Sequence, residues 1–263
     1  MLTNRDDVEC YYSSNVAYYD YLYSDHLASS EMLLESLLLK PPLHNSSIVS
    51  VLDACCGSGH DVELLLRHGF NVDASDLCQE MIDYTQVRVR KFNKQCQFFQ
   101  SDVLELESRV QGLYDLVLFR GNTLGHLRAP DQLRAVRQLY GKTKPGKYLL
   151  LDFRDGRRYH EEQKGFELRG SGIDRINHLA YFSFYQIKHA IDFTGTYEIS
   201  STVVLFDYRT LKFTRKSQRI EGHYVDVKLL VDFLSSMGCS YEFVETYGEG
   251  LPYLKTVLIK KAG

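Results

Sequence analysis

Between Val51 and Gly69 a short apolar run is followed by Gly57-Ser58-Gly59 and then by an amphipathic stretch that closes on Gly69. The β-branched apolar residues at 49 to 52 suit a strand buried on both faces. From His60 to His68 the period lengthens, placing Val62, Leu65 and Leu66 on one helical face, with Gly69 positioned to end the helix. Gly57 and Gly59 allow the intervening backbone to approach a ligand and to adopt dihedrals that a Cβ would penalise. The first amides of the helix face the same space. The segment therefore predicts the strand–turn–helix of an α/β fold, shaped to hold a nucleotide-like molecule.

Spacing narrows the ligand. A dinucleotide fingerprint requires G-x-G-x-x-G, and the third glycine position here is Val62. The pattern is instead Asp53-x-x-x-Gly57-x-Gly59, followed by a second strand over 70 to 75 that runs into Asp76. An acid at the tip of the second strand of a doubly wound sheet is placed to accept hydrogen bonds from both ribose hydroxyls. A third strand, 97 to 101, leads to Asp102, placed to accept from an adenine amino group. Together these point to adenosine without a phosphate. Each acid has a plainer competing role: Asp53 in fixing the glycine turn, Asp76 as a helix N-cap, Asp102 as turn chemistry.

The remaining pattern predicts strands at 114–120 and 148–153, helices at 78–92 and 130–140, and a turn at Lys144-Pro145-Gly146-Lys147. Residues 11–39 are helical in tendency, ending at Pro41-Pro42, with six tyrosines from Tyr11 to Tyr23 ahead of a leucine stripe. Tyr181–Ile187, Thr196–Leu205 and Lys212–Ile220 are aromatic and β-branched, and read as an antiparallel unit. A helix at 225–237 and strands at 241–247 and 254–260 close the chain. The expected fold is α/β: a Rossmann-like, seven-stranded, mostly parallel sheet with a small antiparallel insertion after strand 5. Residues 1–155 and 223–263 would form the ligand-binding domain, and 156–222 an inserted lid.

A net charge of −3 gives no general attraction for nucleic acid. The opening ten residues are polar and acidic, without a signal peptide, and no apolar run approaches the roughly 20 residues a membrane helix needs. A soluble, cytoplasmic protein is expected. The six cysteines contain no C-x-x-C pair, and the nine histidines show no metal-binding spacing, so no metal is expected. The Cys55-Cys56 pair reads as small side chains packed beneath the turn, with redox activity as the alternative.

The glycine-turn segment, Gly69-Phe70 and the stretch Asp115 to Leu127 together resemble the class I S-adenosylmethionine-dependent methyltransferases, and within them the glycine N-methyltransferase group. The narrower likeness is Gly121-Asn122-Thr123-Leu124-Gly125-His126-Leu127, comparable to the G-N-S-x-x-H-L of relatives that methylate small amines. The resemblance implies S-adenosylmethionine as cofactor, held by Tyr12, Asp53, Cys55, Gly57, Gly59, Asp76, Leu77, Asp102, Val103 and Arg120. It places Gly121, Asn122 and His126 beside the transferred methyl. The Gly121 carbonyl and the Asn122 amide oxygen would orient the acceptor N–H. Asn122, His126, Tyr19 and Arg154 would hold the acceptor, Arg154 by gripping a carboxylate or else by pairing with Asp152 or Asp155. Of the two tyrosines, Tyr12 is expected to close over the methionine carboxylate. His126 could equally be a loop histidine bonded to backbone. Arg120 stands where relatives carry a small or apolar residue, a departure that points away from glycine itself. For a guanidine acceptor, Asp20, Asp25, Asp152 and Asp155 are candidate carboxylates. The implied activity is N-methylation of a small amine, amino acid or guanidino metabolite. O-methylation of a small carboxylate or hydroxyl compound, and non-catalytic sensing of S-adenosylmethionine, are the alternatives. The oligomeric state is not indicated.

Overall fold

The computed structural model describes residues 5–92, 95–154, 167–189, 195–244 and 254–263. Seven strands form one sheet: β1 (Ser50–Ala54), β2 (Asn71–Asp76), β3 (Phe98–Gln100), β4 (Tyr114–Phe119), β5 (Thr143–Arg154), β10 (Ser240–Val244) and β11 (Leu254–Lys260). Their order is β10-β11-β5-β4-β1-β2-β3. The five-strand core is parallel, and β11 runs antiparallel to both β5 and β10. β4 is buried along its whole length, as expected of an apolar strand covered on both faces.

Among the described residues, six helices have eight or more residues: α1 (Arg5–Ser13), α2 (Ser24–Leu38), α3 (His60–Arg67), α4 (Gln79–Val89), α5 (Ala129–Lys142) and α6 (Val227–Ser236). The α3 stop forms as its sequence dictates. Gly69 has φ 91, its N–H donates to Leu66 O, and the Phe70 N–H donates to Leu65 O, the paired bonds of a Schellman motif. Asp226 caps α6 by accepting from the Lys228 and Leu229 amides.

A second sheet comprises β6 (Glu167–Asp174), β7 (Leu179–His189), β8 (Thr196–Asp207) and β9 (Lys212–His223), all antiparallel. Three of these strands are expected from the sequence. β6 is the addition, and its Gly170, Ser171 and Gly172 hide its strand character. The expected lid boundary near 156 lies outside the described residues, and the last lid strand runs to His223.

Two other expectations are revised. The helical tendency of 11–39 is realised in pieces, α1 and α2 being separated by a 3-10 turn at Val16–Tyr18 and a short turn at Tyr19–Leu22. The turn drawn at 144–147 lies within β5, because Thr143 pairs with Tyr114 before a register shift, and Gly146 takes φ 71. Among the described residues no helix is long and apolar enough to cross a membrane.

Candidate active site

A cavity of about 400 Å³ opens at the carboxyl edge of the parallel strands, beneath the segment that joins α1 to α2. Its size and place are those of a ligand site in an open α/β sheet. One end is made by the tips of consecutive strands. β1 ends in Asp53, then Ala54, and passes into Cys55, whose φ of 88 turns the chain sharply. The Cys55 and Cys56 amides both donate to Ser75 O, at 2.7 and 2.9 Å, tying the turn to β2. Gly59 has φ 81 and lies so close to α4 that a Cβ there would stand 2.6 Å from Thr85 Cγ2. Gly57, at φ 51, faces the Tyr19 hydroxyl, which lies 3.7 Å from where a Cβ would be.

The acids at this end are set as the β-strand tips require. Asp76 accepts from the Gly57 amide at 2.9 Å and from the Cys78 amide at 3.0 Å, and it also lines the cavity. Burial raises its pKa, against the opposing effect of those backbone donors. Asp53 is the outlier: its Oδ2 is buried without a hydrogen-bond partner, and burial, with the nearby Asp61 charge, pushes its pKa well up. Burying a carboxyl oxygen without a partner is costly. Asp102 lines the cavity and also accepts from the Leu104 amide at 2.9 Å, so the turn chemistry is real. Cys55, Leu77 and Val103 complete this wall.

The other end is assembled from distant parts of the chain. Gly121 and His126 line it, on the loop after β4. Tyr12, from α1, donates or accepts at 2.8 Å with His126 Nε2. His126 Nδ1 is buried without a partner, and burial, with the Arg154 and His223 charges, lowers the pKa to about 4, so the imidazole is neutral at pH 7. Tyr19 lies over the glycine turn, and Tyr12 contacts His126 while its ring centroid stands 6.0 Å from that of Tyr19. Burial raises both phenols well above their usual range.

Two expected site residues, Asn122 and Arg154, do not line the cavity, and a third, Arg120, lines it with its guanidinium already engaged. Asn122 is buried and does not line the cavity. Its Oδ1 accepts from the Arg154 amide at 2.9 Å and its Nδ2 donates to the Tyr197 hydroxyl at 2.7 Å. Its φ of 61 is a conformation asparagine tolerates better than most residues. Arg154 lies behind the wall, stacked between Tyr185 and Tyr197, with Nη2 donating to the Tyr185 hydroxyl at 2.8 Å. Arg120 lines the cavity, but its guanidinium bridges Asp61 at 2.6 Å and Ser30 at 2.8 Å, locking α3 to α2.

Of the acids considered for a guanidine, Asp152 is held by the Gly121 and Asn122 amides, at 3.1 and 2.6 Å. Asp20 is paired with Arg88 and His60. Neither lines the cavity. Asp155 lies outside the described residues, as does the side chain of Asp25.

Sequence reasoning missed His26, Ser30 and Asp61. His26 faces the cavity from the first turn of α2, where burial and the charges of Arg154, Arg120 and Arg169 depress its pKa to about 3. Asp61 had a signal, standing two residues after Gly59 at the start of α3, whereas nothing in the sequence marks His26. Among the described residues, no group of three or more His, Cys, Asp or Glu is arranged to hold a metal ion.

The strand–glycine turn–helix, the acid-tipped second strand and the loop after β4 fall within residues 51–146, which match the methyltransferase domain family. Two curated glycine/sarcosine N-methyltransferases, from Halorhodospira halochloris and Parasynechococcus marenigrum, are each 30% identical over 40% of this chain, covering 40% and 38% of their own length. The matched part is therefore about two fifths of those relatives. In structure, the whole chain resembles an S-adenosylmethionine-dependent methyltransferase from Clostridium acetobutylicum, with TM-score 0.66, 16% identity, and 99% and 100% of the two chains covered. It also resembles the amino pentose methyltransferase CalS10 from Micromonospora echinaspora, with TM-score 0.70, 13% identity, and 93% and 96% covered. At such identities the structures establish a shared class I methyltransferase fold around the methyltransferase domain.

Proposed function

We propose that this protein transfers a methyl group from S-adenosylmethionine to the nitrogen of a small amine, amino acid or guanidino metabolite. One observation carries the reading: Asp53, with a partnerless buried carboxyl oxygen, and the neutral His126, with a partnerless buried ring nitrogen, line the same cavity. The cofactor supplies an electrophilic methyl on a sulfonium, which an amine lone pair displaces in line. Asp53 fits the cofactor's ammonium group, because that cation would supply the partner the carboxylate lacks. Asp76 retains acceptor lone pairs for ribose hydroxyls while its backbone bonds hold it still. Asp102 and Val103 border the adenine end, and Tyr19 covers the glycine turn.

The cavity wall also carries Glu9, Asp61 and Asp131, an excess of acids over Arg120 and Arg128 that favours cationic ligands. On the acceptor side, Gly121 and His126 face the reacting nitrogen. His126 is fixed by Tyr12 and uncharged, so it offers a hydrogen bond without repelling a cation. Asn122 acts as a positioning residue for the Gly121 loop. Arg154 acts from behind the wall, where its charge favours an acceptor that carries a carboxylate. Rate enhancement then comes mainly from positioning and from excluding water.

The test is release of S-adenosylhomocysteine from S-adenosylmethionine with a panel of glycine, sarcosine, small diamines, guanidinoacetate and simple carboxylates. Release with an amine or guanidine is expected. Release only with a carboxylate or hydroxyl acceptor would replace N- by O-methylation, and binding without release on any acceptor would favour a sensor.

A further inference from the structure

The lid sheet has one covered and one open face. Leu179, Tyr181, Val203 and Leu205 pack inward on Leu22 and its neighbouring tyrosines. The alternate residues of the same strands point outward; toward one end of the sheet they include Ala180, Phe182, Phe184, Val204 and Phe206, and farther along they turn polar, with Gln186, Lys188, Glu198 and Ser200. Across one row the register aligns Ile173, Ala180, Phe206 and Phe213, one from each strand, with the two phenylalanine rings 4.7 Å apart. The next outward row aligns Ser171, Phe182, Val204 and Arg215, and Leu168 stands opposite Phe184 in the one after. Ile176 and Leu211 flank this face in the adjoining turns.

The exposed members, Leu168, Ile173, Ile176, Phe182, Leu211 and Phe213, leave between 47% and 89% of their surface open. At ~150–250 Å² for a large side chain, that is on the order of 700 Å² of apolar surface. Monomers rarely expose contiguous patches beyond a few hundred Å², and a stable two-chain interface takes about 800 Å² from each partner.

We propose that this face binds a second copy of the chain, sheet on sheet, about a two-fold axis parallel to the strands. Such an axis lays β9 of one copy over β6 of the other, and β8 over β7. Phe213 then meets Ile173 of the partner subunit, and Phe206 meets Ala180 of the partner subunit, so large residues cover small ones in a row graded from small to large. Further along the same strands, Lys188 pairs in register with Glu198, and both lie on the outward face. The axis sets Lys188 against Glu198 of the partner subunit, twice over. An axis perpendicular to the strands would instead press the phenylalanine row onto these charges and onto Arg219, which lies 4.0 Å from Glu198, desolvating them with no added partner from the second copy. Isologous pairing of this kind closes on itself as a dimer. Its inward side carries Tyr185 and Arg169, so the dimer braces the wall behind the acceptor end.

The experiment is the mass of the whole chain by light scattering and sedimentation equilibrium across the micromolar range. Twice 30.4 kDa is expected. Phe213→Glu should weaken the dimer roughly a hundredfold, the scale of burying an unpaired charge. Ile176→Glu, in a turn, serves as the second variant should Phe213→Glu fail to give a wild-type circular dichroism spectrum. Lys188→Glu should weaken association, and adding Glu198→Lys should restore it. A monomeric wild type, or a folded glutamate variant that dimerises as wild type does, overturns the proposal. No recovery in the double charge exchange overturns the axis.

Discussion

The two ends of the cavity are built on opposite plans. At the end proposed to hold the cofactor, Asp53, Cys55, Gly57, Gly59, Asp76 and Asp102 lie at three successive strand tips, and backbone amides hold the turn and Asp76. At the acceptor end, Tyr12 reaches His126 across 114 positions and Asn122 reaches Tyr197 across 75. A site made from local chain geometry tolerates little change in its chemistry. One made from long-range side-chain contacts can be re-aimed by changing the lid, which suits a fold whose relatives act on different acceptors.

The largest effect expected from this difference is at Asp53. Asp53→Asn should weaken S-adenosylmethionine binding by about 3 kcal/mol, because it removes one partner of a buried ion pair, measurable by calorimetry. The same variant should melt higher than wild type without ligand, since a buried carboxyl with a raised pKa opposes folding at neutral pH. Unchanged affinity would remove Asp53 from the cofactor site. Asp76→Ala should cost about 1.5–3 kcal/mol in the same assay, through lost charged hydrogen bonds.

Two changes sharpen the contrast from the acceptor side. Tyr197→Phe strands the Asn122 Nδ2 donor, a loss of ~1–3 kcal/mol in stability, and should lower turnover while leaving cofactor affinity near wild type. Gly125→Ala presses on the same pair, because a Cβ would lie 2.5 Å from the Tyr197 hydroxyl. If either variant lost cofactor affinity in proportion to turnover, the two ends would not be separable.

The same contrast governs what could be read in the sequence. The glycine turn, its preceding strand, its helix stop and Asp76 follow from residues within one βαβ unit, so periodicity and spacing suffice to place them. The G-N motif points to Asn122 as an acceptor-binding residue, yet its side chain is engaged by Arg154 and Tyr197, partners 32 and 75 residues away. Gly125 and Gly222 are glycines because the Tyr197 ring occupies the space beside both. No local pattern encodes that. Nor does spacing reveal His26, whose position depends on how α2 packs beneath the lid.

The smallest effect is in pH dependence, and its sign separates the two ends again. His26 and His126 have folded-state pKa values lowered to about 3 and about 4, against 6.5 for the ordinary imidazole. The unfolded chain therefore binds more protons than the native one between about pH 6.5 and 4, and stability must fall as pH drops through that window. Asp53 acts oppositely, since its raised pKa makes the unliganded fold more stable as the carboxyl becomes protonated. Urea midpoints at pH 7 and pH 5 should show a smaller drop for His26→Gln than for wild type, and a larger drop for Asp53→Asn. Equal drops in all three proteins would mean that neither end of the cavity holds its titratable groups in the buried states the geometry assigns them.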